Sequence, residues 1–114
     1  MSRPVGPYAP VRRAGGLLLC SGQIGVSGSA LVPGGLAAEL RQALANLKAV
    51  LEAEGSGLDR VVKATVMLAD MADYAEMNRI WAEAFGDAPP ARSAFAVAAL
   101  PLGARVEVEA WALP

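Results

Sequence analysis

One arginine and two glutamates near the C-terminus lie on two consecutive segments whose sequences favour β-strands. Side chains of a strand point to alternate faces, so Arg92 shares a face with alternate alanines, beginning at Ala94. Glu107 and Glu109 share a face of the next segment and lie about 7 Å apart, because each residue of a strand rises by roughly 3.3 Å. If these two strands pair, a guanidinium and a carboxylate face one volume above a floor of alanines. That arrangement would bind a small carboxylic acid and carry out acid–base chemistry beside it.

The composition limits the chemistry that is open to the chain. Its 114 residues fit a single domain, residues 1–114, and the formal net charge of −1 leaves no basic stripe for binding nucleic acid. The chain has no histidine, which excludes Ser-His-Asp and Cys-His catalysis in their usual forms as well as histidine metal sites. The single cysteine, Cys20, lies in an apolar run and is predicted to be a buried strand residue rather than a nucleophile. We therefore expect neither a metal site nor a disulfide.

The chain is more apolar than is usual for a small soluble monomer. Hydrophobic residues make up 54% of the sequence and the mean hydropathy is +0.38, against an average apolar content of about 45–50%. This excess predicts that apolar surface is covered by further copies of the chain. Residues 14–38 carry no charge, but their glycines and Pro33 interrupt any apolar helix of about 20 residues. We predict a cytoplasmic protein that does not enter a membrane.

Two segments have the period of an amphipathic helix. Leucines recur at intervals of three and four from Leu36 to Leu51, which predicts a helix over residues 36–54 that is closed by Gly55. Asp73 is predicted to cap a second helix, with Glu76 at the spacing of a capping box, and Gly86 to end it. The predicted apolar stripe of this second helix consists of Tyr74, Met77, Trp81, Ala84 and Phe85.

The remaining predicted elements are strands. Residues 58–68 form one in which Val62, Ala64, Val66 and Leu68 share a face, and residues 27–29 form a hairpin turn. The other strands are predicted at residues 17–21 with 23–26, 30–32, 92–99 and 105–112. The order β-β-α-β-α-β-β predicts an α+β fold in which both helices cover one face of a mixed sheet. The opposite face is then left for association with other subunits.

A series of short motifs follows along almost the whole chain. The motifs are Gly6-Pro7-Tyr8, Ser21-Gly22-Gln23, Asn46-Leu47-Lys48, Val62-Lys63-Ala64-Thr65-Val66, Asp70-Met71-Ala72-Asp73, Met77-Asn78, Pro90-Ala91-Arg92-Ser93, Ala99-Leu100-Pro101 and Glu107-Val108-Glu109-Ala110. In this order and spacing the chain resembles the RidA/YjgF family, also called the L-PSP endoribonuclease family. The resemblance extends from about residue 6 to residue 112, and its specificity comes from the order and spacing of the motifs rather than from any one of them.

The resemblance implies a fold, an assembly and an activity. The implied fold is chorismate-mutase-like and forms a homotrimer around a central barrel, with three sites in the clefts between subunits. The implied activity is hydrolysis of reactive 2-enamine and 2-imine acids, such as 2-aminoacrylate and 2-iminopropanoate, to 2-oxo acids and ammonia. The family uses no cofactor for this reaction, so the implied partners are a small carboxylate-bearing substrate and further copies of the chain.

The resemblance also implies roles for particular residues. Arg92 matches the arginine that binds the substrate carboxylate, and Glu107 matches the glutamate that holds the hydrolytic water. Pocket positions correspond to Tyr8, Gly22, Asn78 and Ala94. Ala94 replaces a cysteine that many members of the deaminase branch carry; that cysteine contributes its backbone amide to the ligand, which alanine can also supply. Ala96 replaces a glutamate that is common there, and Ala9-Pro10 replaces the usual Ser-Gln.

Other interpretations of these residues remain open at the level of sequence. Arg92 could form a surface ion pair, Tyr8 could be an anchoring aromatic, and Asn78 could satisfy backbone groups nearby. A non-catalytic trimer that binds 2-oxo acids or related metabolites would need Arg92 but could dispense with Glu107. RNA cleavage is suggested only by the older family name, and the absence of histidine argues against it.

Overall fold

Two helices pack on one face of a five-stranded sheet in the computed structural model of the chain, which describes residues 6–114. Short 3-10 turns at Leu58–Arg60, Met71–Asp73 and Pro101–Gly103 connect the larger elements. The strands are β1 (Val11–Ala14), β2 (Leu17–Ile24), β3 (Val26–Ser27), β4 (Ala30–Leu31), β5 (Val61–Leu68), β6 (Ala91–Ala96) and β7 (Val106–Ala112), and the helices are α1 (Gly35–Ala53) and α2 (Tyr74–Phe85). The α+β class and the placement of both helices on one sheet are therefore as predicted.

The strand order in the main sheet is β1-β2-β7-β5-β6, which places β7 at the centre. All neighbouring strands run antiparallel except β5 and β6, which are parallel because α2 lies between them in the chain. β3 and β4 form a separate hairpin around Gly28, as predicted from the turn residues. The sequence did not predict β1. More importantly, β6 and β7 do not pair, since β5 lies between them.

The leucine stripe of α1 forms the centre of the core. Its five members, Leu36, Leu40, Leu44, Leu47 and Leu51, are all buried, and α1 packs against β2, β7 and α2. Burial of each such side chain stabilises the fold by roughly 1.5–3 kcal/mol. Gly55 follows the helix with a positive φ of 80°, a conformation that ordinary residues adopt at a cost. The predicted helix and its terminator are both confirmed.

The N-terminus of α2 differs from the prediction. The Asp73 side chain makes no cap hydrogen bond to α2; its Oδ2 instead accepts 2.8 and 3.2 Å hydrogen bonds from the Arg105 guanidinium. Asp70 caps the preceding 3-10 turn by accepting a hydrogen bond from the Ala72 amide. The ion pair of Asp73 with the distant Arg105 thus replaces the predicted local cap. The buried face of α2 consists of Met77, Ile80 and Trp81, so the predicted stripe missed Ile80 and wrongly included the exposed Ala84 and Tyr74.

Two buried polar side chains of α1 form hydrogen bonds to backbone groups near β2 and β7. The Asn46 amide donates to the carbonyl oxygens of Ile24 and Val26, and Glu39 accepts a 2.8 Å hydrogen bond from the Arg105 amide. Gly25 lies against the Glu39 backbone so closely that an added Cβ would be 2.6 Å from it. Glu39 thus holds the beginning of β7 against α1, and Asn46 holds the end of β2 and the start of β3 there.

The second face of the sheet carries no helix among residues 6–114. It presents large apolar side chains, including Phe95 (46% exposed) and Trp111 (49% exposed). Val62 is also exposed, contrary to its predicted place beside Ala64, because a register shift between Val61 and Lys63 interrupts the alternation. We call this surface the bare face; it is the one that the sequence predicted to need cover. No helix within the described part of the chain is long and apolar enough to cross a membrane.

Candidate functional site

Glu107 projects from β7 onto the bare face. Its neighbours in the strand, Val106 and Val108, are fully buried in the core under the helices, so alternation sends Glu107 to the opposite side. The side chain is half-buried, and loss of hydration raises the pKa of its carboxyl above the ordinary value; the charge of Glu109 raises it further. A carboxyl with a raised pKa can accept a proton and return it at a moderate pH, which is the requirement for acid–base catalysis.

Gly22 makes room for the Glu107 carboxylate. A Cβ built on Gly22 would lie 2.8 Å from Cδ of Glu107 and closer still to Oε2. The register between β2 and β7 shifts between Cys20 and Gln23, so Gly22 lies in an irregular part of the pairing. We conclude that glycine is required here for space, because any larger residue would displace the carboxylate.

Tyr8 lies beside the second glutamate of β7, on the bare face. The segment that carries it is held to β2, since the Ser21 hydroxyl donates to the Ala9 carbonyl at 2.6 Å. Tyr8 is 43% exposed and lines an open groove of about 420 Å³ together with Glu109 and Trp111. The structure therefore groups Tyr8, Gly22 and Glu107 on one side of the sheet; we call these three residues the glutamate group.

Arg92 lies on the other side, at the junction of β6 and α2. It is aligned with the buried Ala64 of β5 and therefore points towards the helices. Its guanidinium carbon is 5.8 Å from the ring centroid of Tyr74 and 5.3 Å from that of Trp81, and its nitrogens lie 3.4 Å from Sδ of Met77 and 3.4 Å from the Tyr74 hydroxyl. These contacts fix the orientation of the guanidinium without neutralising it.

Among the described residues, Arg92 forms no salt bridge. The ion-pair interpretation of Arg92 is therefore not supported within one chain. The contrast with Arg105, which pairs with Asp73 at 2.8 Å, is instructive. A planar guanidinium that is oriented by aromatic rings and lacks a carboxylate partner is suited to bind the carboxylate of a ligand.

Ala94 and Asn78 belong to the same side as Arg92. Ala94 is two residues further along β6 and packs against the core, and Asn78 is one helical turn after Tyr74 on the same face of α2. We call Arg92, Ala94 and Asn78 the arginine group. Tyr74 and Trp81, which contact Arg92, were assigned from the sequence to the apolar stripe of α2. Their contact with Arg92 could not be inferred from periodicity alone, because it depends on where β6 joins the sheet.

The six predicted residues thus fall into two groups on opposite faces of the sheet. The prediction that Arg92 and Glu107 face one volume is wrong for a single chain. First, β5 lies between β6 and β7, so these two strands do not pair. Second, the alternation of side chains along the strands sends Arg92 and Glu107 to different faces of the sheet. Within residues 6–114, no cluster of three or more His, Cys, Asp or Glu side chains is arranged to hold a metal ion.

Comparison with known proteins adds to this geometry. The sequence profile described as Endoribonuclease L-PSP matches residues 1–113 of the chain. The mouse protein named 2-iminobutanoate/2-iminopropanoate deaminase is 46% identical over 111 residues, which cover 96% of this chain and 82% of the mouse protein.

Solved structures share the fold over almost the whole chain. The crystal structure of the yeast protein YEO7 is similar with a TM-score of 0.94 at 43% identity, covering 98% of this chain and 90% of the yeast chain. RidA from an Antarctic Psychrobacter bacterium also has a TM-score of 0.94, at 36% identity, and covers 99% of this chain and 93% of its own. Both similarities extend through the strands and helices that carry the arginine and glutamate groups.

Proposed function

This chain belongs to the Endoribonuclease L-PSP family, also called the RidA/YjgF family, and we propose that it is a deaminase. It hydrolyses reactive 2-enamine and 2-imine acids, such as 2-aminoacrylate and 2-iminopropanoate, to 2-oxo acids and ammonia. The observation that carries this conclusion is the 46% identity, over 96% of the chain, to a mouse protein that is named for this reaction. The chemistry of the two residue groups is consistent with it.

Glu107 is proposed as the catalytic acid–base. In the first step its carboxylate takes a proton from water, the water oxygen bonds to the imine carbon, and the electron pair of the C=N bond moves to nitrogen. Glu107 then returns this proton to the nitrogen, which gives a neutral carbinolamine. In the second step the carboxylate takes the proton of the carbinolamine hydroxyl and delivers it to the nitrogen as the C–N bond breaks, so that the carbonyl forms and ammonia leaves. The raised pKa of the Glu107 carboxyl suits it to both transfers. The reaction needs neither a metal ion nor a cofactor, because the imine carbon is already electrophilic.

Arg92 is proposed to bind the substrate carboxylate. A guanidinium presents parallel N–H donors that match the two oxygens of a carboxylate, and charge-assisted bonds of this kind contribute about 1.5–3 kcal/mol each. The buried Met77 and Trp81 keep the donors oriented before the substrate arrives. Ala94 is proposed to offer its backbone amide, and Asn78, Tyr8 and Gly22 to complete the pocket.

The arrangement of the groups supports a site made by two copies of the chain. Arg92 and Glu107 lie on opposite faces of one sheet, so one substrate can contact both only if they come from different subunits. The bare face exposes Phe95 and Trp111, which an assembly would cover. We propose a homotrimer in which three sheets surround a central barrel and each cleft combines the arginine group of one subunit with the glutamate group of the next.

We further propose that residues 1–114 form one domain and that the protein acts in the cytoplasm. Nucleic acid is not proposed as a partner: the net charge of −1 gives no basic surface, and RNA cleavage would have to proceed without histidine. Binding of a 2-oxo acid without turnover is the competing possibility, and it is separated from catalysis by experiment.

The direct test is ammonia release from 2-aminoacrylate that a pyridoxal-phosphate dehydratase generates in the same cuvette. The protein should accelerate hydrolysis above the rate in its absence. The Arg92→Ala variant should lose the acceleration while retaining the circular dichroism spectrum of the parent. If the parent binds 2-oxobutanoate in calorimetry but never accelerates hydrolysis, the non-catalytic alternative is correct.

The shared site has a sharper test in mixed assemblies. Arg92→Ala and Glu107→Gln should each be inactive alone, but co-expression should restore activity. With random assembly about one site in four receives both parental residues, since each is supplied independently by one of two subunits. Recovery of roughly a quarter of the parental activity is therefore expected. No recovery in mixed trimers, verified by mass spectrometry, would refute a site that is shared between subunits.

A further inference from the structure

Tyr74 occupies an unusual position for a residue at the start of an amphipathic helix. It is the first residue of α2, it is 38% exposed, and its ring stands beside the Arg92 guanidinium at 5.8 Å. The other aromatic neighbour of Arg92, Trp81, is 5% exposed and belongs to the core. Tyr74 is thus the member of this aromatic pair that a ligand approaching Arg92 from solvent can reach.

The direction of the hydrogen bond between the Tyr74 hydroxyl and Arg92 is defined. A guanidinium has donors and no acceptor, so in the 3.4 Å contact the Arg92 Nη2 donates and the Tyr74 oxygen accepts. The hydroxyl hydrogen is left as a donor, and no residue from 6 to 114 accepts it. The phenol and the guanidinium therefore present donors side by side. The charge of Arg92 also polarises the hydroxyl and strengthens it as a donor.

We propose that Tyr74 is a further substrate-binding residue, whose hydroxyl donates a hydrogen bond to the same carboxylate that Arg92 binds. This inference rests on the proposed function for the identity of the ligand. A carboxylate has about four acceptor positions, so it can accept two bonds from the guanidinium and one from the phenol. The hydroxyl adds selectivity, because a carboxamide in the same place would present an N–H group to one of these donors.

The test removes only the oxygen. Tyr74→Phe keeps the ring against Arg92, so the fold and the stacking are retained. Loss of a hydrogen bond to a charged group should weaken binding of unreactive 2-oxobutanoate by about 10- to 100-fold. The KM for the imine should rise accordingly while kcat changes less than threefold, since the hydroxyl contacts the carboxylate in both substrate and transition state. Arg79→Gln, on the exposed side of the same helix, is the control and should match the parent.

A double-mutant cycle separates direct contact from an effect through Arg92. In an Arg92→Lys background, which keeps a cation but no guanidinium, a hydroxyl that contacts the carboxylate still contributes, so adding Tyr74→Phe should lower kcat/KM by a further factor of about 10. A hydroxyl that only orients the guanidinium contributes nothing once the guanidinium is absent. An unchanged kcat/KM on adding Tyr74→Phe to Arg92→Lys, or unchanged affinity in Tyr74→Phe alone, would overturn the proposal.

The binding test of the Tyr74 hydroxyl does not depend on whether the chain is a deaminase. If the parent binds 2-oxobutanoate without hydrolysing imines, the proposed function fails, yet the calorimetric comparison of parent with Tyr74→Phe still decides the role of the hydroxyl. If the parent hydrolyses imines and Tyr74→Phe is indistinguishable from it, the function stands and the role of Tyr74 is refuted.

Discussion

The arginine group and the glutamate group are built differently. Arg92 is backed by core residues, including the fully buried Met77, and is oriented by two aromatic rings before any ligand binds. Glu107 lies on the bare face, where Gly22 leaves room for its carboxylate and the nearby Glu109 lines an open groove. A single subunit therefore orients Arg92, the proposed carboxylate-binding residue, whereas the surroundings of Glu107, the proposed acid–base, depend on what covers the bare face.

One ion pair connects the segments that adjoin the two groups within a subunit. The Arg105 guanidinium reaches Asp73, immediately before Tyr74, and the Arg105 backbone bonds to Glu39 and Ala69 just before β7 carries Glu107. If each subunit serves two clefts, this connection joins the binding half of one cleft to the catalytic half of another.

The strongest test of the comparison is Glu107→Gln. This change keeps size and hydrogen bonding but removes the proton acceptor, so kcat should fall by about 10²–10⁴. Affinity for 2-oxobutanoate should change little, since Arg92 is untouched. Ammonia release and calorimetry measure the two quantities. Glu109→Gln is the matched control and should retain most of the parental kcat; similar losses in both variants would show that the two glutamates act together.

Gly22→Ala should have the next largest effect. The added Cβ displaces the Glu107 carboxylate, and a displacement of about 1 Å can cost roughly 10²-fold in rate. Because the added Cβ contacts Glu107 and not Arg92, kcat should fall while most of the affinity for 2-oxobutanoate, which Arg92 is proposed to provide, is preserved. Loss of affinity in a folded Gly22→Ala protein would mean that the two groups are not separable, and the comparison would fail.

The pH dependence of the rate should show the smallest effect, but it tests the Glu107 carboxyl specifically. Burial and then the charge of Glu109 raise the pKa of the Glu107 carboxyl, and the rate requires the ionised form. The rate should therefore fall on acidification at a higher pH than an ordinary carboxyl would give. Glu109→Gln removes only the smaller cause, so the acidic limb should move to lower pH without reaching the ordinary value. An unchanged limb in Glu109→Gln would exclude interaction between the two charges.

The helices and most strands could be predicted from the sequence, because each depends on local spacing. The leucine stripe of α1 and Gly55 are examples, and Cys20 is buried as expected, with the pKa of its thiol raised to about 11 by burial and by Glu54. The roles of the site residues stay a prediction that rests on recognisable motifs. The assembly of the site could not be predicted in the same way. Which strand lies beside β7 is decided by packing of distant segments, and adjacency in the chain wrongly favoured β6. The prediction that Asp73 caps α2 was wrong for a related reason, because Asp73 pairs with Arg105, which is 32 residues away in the chain.

The central position of β7 has a consequence for how the protein is made. β7 is the last of the described strands to leave the ribosome, yet β2 and β5 meet only through it. A nascent chain that ends before residue 106 therefore has two separate half-sheets with unpaired edges, which are prone to join other chains. Synthesis of β7 adds the strand that joins the two half-sheets, and the same strand carries Glu107. Chains that end before residue 106 therefore lack both the central strand of the sheet and Glu107.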